Sequence, residues 1–175
     1  MKRPFASLTC QEALHVAIFI EERNAQLYQQ FAELFAEFRD SQSLEIASVF
    51  WDMTVEERHH SMMLQGWYTE RYGTAVCSIT EEDIQDFIEV PRLEDGDFFA
   101  EPSRIPKSAG ERALRVALFA ENQARDFYGE LAQRTEDAPL RDLYRELSNM
   151  EEGHVEYLQQ RLKAQAQKDP QTSAN

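Results

Sequence analysis

Cysteine is nearly missing from this 175-residue chain: Cys10 and Cys77 are the only two, and no Cys-x-x-Cys pair occurs. Neither a zinc knuckle nor a rubredoxin-type iron centre can be built from the chain alone, and a reducing compartment is the expectation. Glycine and proline are scarce, six of each, too few for an all-β protein. Basic residues are outnumbered, 18 Lys and Arg against 32 Asp and Glu, for a net charge of −14. That balance excludes the basic face a nucleic acid needs and any attraction to an anionic membrane, while it suits cations. No apolar run approaches the roughly 20 residues that cross a bilayer. The stretch from Pro4 to Thr9 is too short and polar for a signal-peptide core, so the chain reads as soluble and cytoplasmic.

What the chain does have, it has twice. Residues 13–28 read ALHVAIFIEERNAQLY and residues 113–128 read ALRVALFAENQARDFY, so that Ala13/Ala113, Leu14/Leu114, Val16/Val116, Ala17/Ala117, Phe19/Phe119, Glu21/Glu121 and Tyr28/Tyr128 coincide at one offset. Each copy is followed by Glu-x-x-His, first Glu57 with His60 and then Glu151 with His154. A duplicated helical hairpin is the economical reading: one domain over 1–167, with repeats at 9–73 and 108–167, a crossover at 74–107 and a flexible tail at 168–175.

Ala, Leu, Glu, Gln and Arg dominate the repeats and favour an all-α fold. Thr9 with Glu12 is a capping-box signal that opens a helix running to about Arg39. Its inward stripe is Leu14, Ile18, Glu21, Ala25, Tyr28, Ala32 and Phe35. After a short turn at Asp40, a second helix carries Ile46, Phe50, Met53, Glu57, His60, Leu64 and Trp67 on one face and ends near Gly73. A turn this short makes the pair antiparallel. Pro and Gly punctuate residues 74–107, with one short helix expected from Thr80 to about Ile88. Ser108 with Glu111 repeats the capping signal, and Asp137-Ala138-Pro139 opens the last helix.

Seven residues turn a helix by about 700°, within roughly 20° of two full turns, so Glu21 and Tyr28 share a face, as do Glu121 and Tyr128. Three residues turn it by about 300°, so the Glu and His of each Glu-x-x-His can reach one ion between helices. A carboxylate inside an apolar stripe costs several kcal/mol when buried without a partner. Four at matching depth call for cations, and four carboxylates with two imidazoles form the ligand set of a two-metal site: Glu21, Glu57, His60, Glu121, Glu151 and His154. Mixed oxygen and nitrogen donors suit iron, with manganese or zinc as alternatives. Glu56 with His59 also spells Glu-x-x-His, but that register would turn Asp52 inward. The stripe favours Glu57 and His60, leaving Glu56, His59 and Glu152 on the outer face or behind the ligands. Tyr28 and Tyr128 are placed to hydrogen-bond the ligating carboxylates. His15 reads as solvated, and Trp51, Met62, Met63, Phe98 and Phe99 as core or subunit contact. Phe31 and Phe38 read as exposed aromatics that a homodimer would cover.

The order Glu21, Glu57-x-x-His60, Glu121, Glu151-x-x-His154, with a Tyr seven residues after each lone Glu, resembles the ferritin-like superfamily. It is most similar to the rubrerythrin branch and also to bacterioferritin. The resemblance covers about residues 9 to 165 and implies a ferritin-like antiparallel four-helix bundle with its long crossover between helices two and three. It implies two iron ions, with Glu57 and Glu151 as the catalytic, bridging carboxylates, Glu21 and Glu121 as terminal ligands, and one nitrogen each from His60 and His154. The activity it implies is an oxidoreductase's: reduction of hydrogen peroxide, or oxidation of Fe(II) by peroxide or dioxygen. Electrons would come from an external donor such as a rubredoxin-like protein. An iron-binding, storage or delivery role with little turnover is the alternative. Two features depart from rubrerythrins: the Cys-x-x-Cys segment is missing, and Ala124 stands where they carry an extra Glu. The centre that remains is more symmetric, closer to that of bacterioferritin.

Overall fold

The computed structural model describes residues 8–75, 77, 79–84 and 109–168. Their regular structure is helical throughout: α1 (Cys10–Phe38), α2 (Ser41–Tyr72), the single turn α3 (Glu81–Ile84), α4 (Ala109–Arg134) and α5 (Ala138–Lys168). The ends are set by side chains that satisfy orphan backbone groups. The Thr9 hydroxyl accepts from the Glu12 amide at 3.2 Å while the Glu12 carboxylate accepts from the Thr9 amide at 2.8 Å, closing the expected capping box. Asp40 caps α2 by accepting from the Ser43 amide at 2.9 Å. Gly73 ends α2 with φ 61°, a conformation that side chains disfavour. Asp137 opens α5 by accepting from the Leu140 amide at 3.0 Å. Its carboxylate also takes Arg71 at 2.7 Å, tying the end of α2 to the α4–α5 turn.

Short turns at 39–40 and 135–137 make α1–α2 and α4–α5 antiparallel hairpins, and α1 packs on α4 to join them into a four-helix bundle. Thr80 and Asp83 bond reciprocally around α3. The helix expected over 80–88 is present as Glu81–Ile84, whereas 85–88, the rest of the crossover, Ser108 and the tail from 169 lie outside the described residues. No helix among the described residues is long and apolar enough to cross a membrane.

The interior has two apolar layers. One gathers Leu14, Ala17, Ile20, Leu64, Ile84, Phe127, Leu131, Leu140 and Leu147. The other gathers Leu27, Phe31, Phe35, Ile46, Phe50, Met53, Leu114 and Leu158. On every long helix the Glu of the repeat motif falls between the residues of one layer and those of the other, so the acids occupy a plane sealed above and below by hydrocarbon.

Some expectations change. Phe31 is not exposed: residues 28, 31 and 35 turn together into the α1–α2 seam, where the Phe31 ring lies 4.9 Å from that of Phe50 and is fully buried. Phe38, one turn beyond the seam, is 60% exposed. His15 is half-buried, its ring 6.3 Å from that of Tyr68. Trp51 and Met62 lie on the outside of α2 and Met63 is half-buried against the core, while Phe98 and Phe99 are outside the described residues.

Candidate metal centre

Each long helix delivers its polar residues to the plane between the apolar layers because the motif occupies the phase of the buried stripe. Glu21 on α1, Glu57 on α2, Glu121 on α4 and Glu151 on α5 have no exposed surface, and His60 and His154 are 5% and 7% exposed. These are the six residues singled out by spacing, and the fold brings all six together. Glu56 and His59, the competing register, face outward.

Ligand atoms of Glu21, Glu57, His60 and Glu151 lie within 4.8 Å of one another, as do those of Glu57, Glu121, Glu151 and His154. Glu57 and Glu151 belong to both groups. His60 Nδ1 lies 3.4 Å from Glu21 Oε2 and 3.5 Å from Glu151 Oε1. His154 Nδ1 lies 3.1 Å from Glu57 Oε1 and 3.2 Å from both Glu121 Oε2 and Glu151 Oε2. The two imidazoles stack with centroids 5.6 Å apart.

The tyrosines act across the bundle. Tyr28 donates its hydroxyl to Glu121 Oε1, and Tyr128 donates to Glu21 Oε1. This reciprocal pairing is what antiparallel α1 and α4 require, and it ties up one oxygen of each lone acid while the other faces a histidine. The stripe placed both tyrosines; which acid each would reach depends on how the hairpins dock, a relation outside either helix. Of the other buried polar residues, Asn24 and Thr54 carried no usable signal. Asn24 is 1% exposed with its Nδ2 unbonded, and only its place three residues after Glu21 could have pointed to it. The Thr54 hydroxyl donates to the Phe50 carbonyl at 2.7 Å and so satisfies itself within its own helix.

The electrostatics are those of acids crowded without water. Burial, then the charges of Glu121, Glu151 and Glu21, pushes the Glu57 carboxyl well above its usual range. Burial and Glu151 push Glu121 up to about 8. Burial and Glu21 also press upward on Glu151, but the Glu121, His154 and His60 groups it faces outweigh them and hold it below the ordinary value. Burial lowers the His60 pKa, yet contact with Glu151 and Glu21 overrides it and raises it to about 10. His154 is driven up further by Glu121, Glu151 and Glu57 despite its burial. Burial and the acids push both tyrosines well above their normal range, so they stay donors.

Glu21 Oε2, both oxygens of Glu57, Glu151 Oε1 and His60 Nδ1 are buried with no hydrogen bond. Unsatisfied buried charge of this density is strongly unfavourable unless a cation neutralises it. Four carboxylates and two imidazole nitrogens aimed at common points are the donor chemistry of a metal site. Outside the bundle, an open groove of about 870 Å³ between α2 and α5, lined by Met53, Val55, Glu56, Met150 and Gly153, reaches both imidazoles.

The comparisons agree with this architecture. The Rubrerythrin family model matches residues 12–97, a segment that holds Glu21, Glu57 and His60. Glu121, Glu151 and His154 lie beyond the match and reach the same plane through the fold. An uncharacterized conserved protein from Magnetospirillum magnetotacticum MS-1 is similar in structure, with a TM-score of 0.70 at 20% identity over 90% of this chain and 95% of its own. A hypothetical protein from Pyrococcus furiosus superposes with a TM-score of 0.68 at 21% identity over 91% of each chain. At such identities the likeness speaks for the fold. No curated protein matches the chain.

Proposed function

We propose that this rubrerythrin-type, ferritin-like bundle holds two iron ions between Glu21, Glu57, His60, Glu121, Glu151 and His154, and that it uses them to reduce hydrogen peroxide or to oxidise Fe(II). The observation that carries the reading is the sharing of Glu57 and Glu151 between two overlapping ligand groups, the arrangement two adjacent ions need. Glu57 and Glu151 would bridge the pair. Glu21 and Glu121 would each hold one ion at the end, kept in place by Tyr128 and Tyr28. The two imidazoles would complete the set through Nδ1. The apolar layers above and below the plane keep water from the acids on those sides, which strengthens the charge interactions among them. Two ferrous ions bound there would supply one electron each, so that hydrogen peroxide and two protons yield two waters, and an external donor would return the electrons.

On this reading the electrons come from an external donor, since these 175 residues, with two cysteines and no Cys-x-x-Cys pair, hold no rubredoxin-type centre. The same lack favours the second reading, an iron-binding or delivery protein that oxidises its load once. Metal-free protein loaded anaerobically with Fe(II) separates the two. Repeated peroxide consumption with a reductant present supports the enzyme, and one stoichiometric oxidation supports storage or delivery. Protein that retains no metal by elemental analysis after loading removes both.

A further inference from the structure

On the outside of the centre the two histidines are not equivalent. Glu56, on the neighbouring helix and itself exposed, places its Oε2 2.7 Å from His154 Nε2, the ring nitrogen that faces away from the acids. Both carboxylates that pair with His60, those of Glu21 and Glu151, lie on its Nδ1 instead. The sequence shows why: Glu56 directly precedes Glu57 on α2, whereas Met150 directly precedes Glu151 on α5, and both residues line the same groove beside the imidazoles. We infer that Glu56 is a positioning residue that makes the two ion sites unequal, so that the site completed by His154 binds its ion first and more tightly. The inference rests on the two-metal reading above.

The chemistry is that of a carboxylate behind a ligating imidazole. A neutral histidine carries one ring proton, and an acceptor at Nε2 draws that proton outward. When an ion displaces the proton on Nδ1, the proton that remains is held at Nε2 by Glu56, and the Nδ1 lone pair is left directed toward Glu57, Glu121 and Glu151. The negative charge at Glu56 also raises the basicity of the ring. Among the described residues no carboxylate meets His60 Nε2 in this way, so its ring lacks the outer partner that orients His154. Groups of this kind alter metal affinity by about 10- to 100-fold in known sites.

The test is a Co(II) titration of the metal-free full-length protein, followed by calorimetry and by the visible absorption of the bound ion. Unsubstituted protein is expected to take up two ions with separable affinities. Glu56→Ala should weaken the tighter step by about 10-fold or more and bring the two steps together, with Glu56→Gln in between. Met150→Glu, which offers His60 the same kind of partner, should strengthen the weaker step instead. Because Glu56 is exposed, its replacement leaves the apolar layers intact. Two ions bound with the same separation in Glu56→Ala as in the parent overturn the inference while leaving the two-metal reading standing. Parent protein that binds no Co(II) at all overturns the two-metal reading, and this inference with it.

Discussion

The hairpin α1–α2 and the hairpin α4–α5 supply the same polar set, one Glu, one Tyr and one Glu-x-x-His, yet they differ behind it. Phe50 stacks on Tyr28 with centroids 5.9 Å apart, while Tyr144, the residue at the same distance before its Glu, stacks on Tyr128 at 6.4 Å. Glu56 answers to Met150, and Asn24 answers to Ala124. Side chains that point into the plane of acids match, and those one layer out diverge. The lesson is where the constraint acts: four acids at one depth tolerate no change of donor, whereas a neighbour that touches only one ring or one apolar layer can change with a local adjustment.

The strongest way to break the equivalence is to remove acids one at a time. Glu57→Ala takes an oxygen from both ligand groups, Glu121→Ala from one. Loss of both ions is expected for the first, and retention of one, held by Glu21, Glu57, His60 and Glu151, for the second, as read by elemental analysis after loading and desalting. Equal stoichiometry in the two variants would contradict the sharing of Glu57. Next in size is the response to pH. In metal-free protein the Glu121 carboxyl rises from 4.5 to about 8 and the His60 imidazole from 6.5 to about 10, so between the ordinary and the raised values the folded state holds protons that the unfolded chain has released. Stability of the metal-free form should therefore be fullest below the unfolded values and fall as pH rises, through the Glu121 window first and the His60 window after it. Metal must displace the same protons, so affinity should rise over the same range. Thermal melts across pH, with a chelator and with saturating Co(II), should show opposite trends. A metal-free melting temperature that climbs from pH 5 to 9 would sink the argument.

Much of this centre was legible in the chain because its physics is local and repetitive. A Glu in an apolar stripe of period 3.6 has one rotational phase, and Glu57 follows Met53 and Phe50 in that phase while Glu56 does not. The Thr9–Glu12 cap and the start of α5 at Asp137 were readable for the same reason: each closes over three residues. Contacts set by docking between hairpins were not. Whether Tyr28 reaches Glu21 or Glu121, whether Glu56 lies in solvent or against His154, and whether Phe31 is covered by the second helix or by a second copy all depend on the relative position of helices distant in sequence. Phe31 misled because an aromatic at the margin of a stripe is buried only if the adjacent helix carries a ring, here Phe50, at the right height.

The tyrosines sharpen the comparison at a finer scale. Each donates to a buried carboxyl group of the opposite hairpin, so Tyr28→Phe and Tyr128→Phe should each cost about 1–3 kcal/mol, the penalty for leaving a buried acceptor unsatisfied. Equal losses in chemical denaturation would mean that the two cross-links are interchangeable, while a clear difference would trace the inequality of the hairpins into the centre itself.

The smallest effect is expected at the hydroxyl of Tyr144. It is fully buried and has no hydrogen bond, and burial pushes its pKa well up. Tyr128, the ring beside it, already spends its own hydroxyl on Glu21. Leaving such a group unsatisfied costs about 1–3 kcal/mol, and replacing it by an apolar group of the same shape is neutral or stabilising. Phe50 occupies the matching position in the other hairpin, fully buried and stacked on its own tyrosine. Tyr144→Phe should thus raise stability by roughly 1 kcal/mol, a gain of about 2–4 °C in melting temperature for a chain of this size. Phe50→Tyr, which adds a hydroxyl to a layer with no acceptor set aside for it, should lose a similar amount. If Tyr144→Phe destabilises instead, the hydroxyl has a partner such as an ordered water. The two hairpins would then differ in this layer because one of them hydrates it.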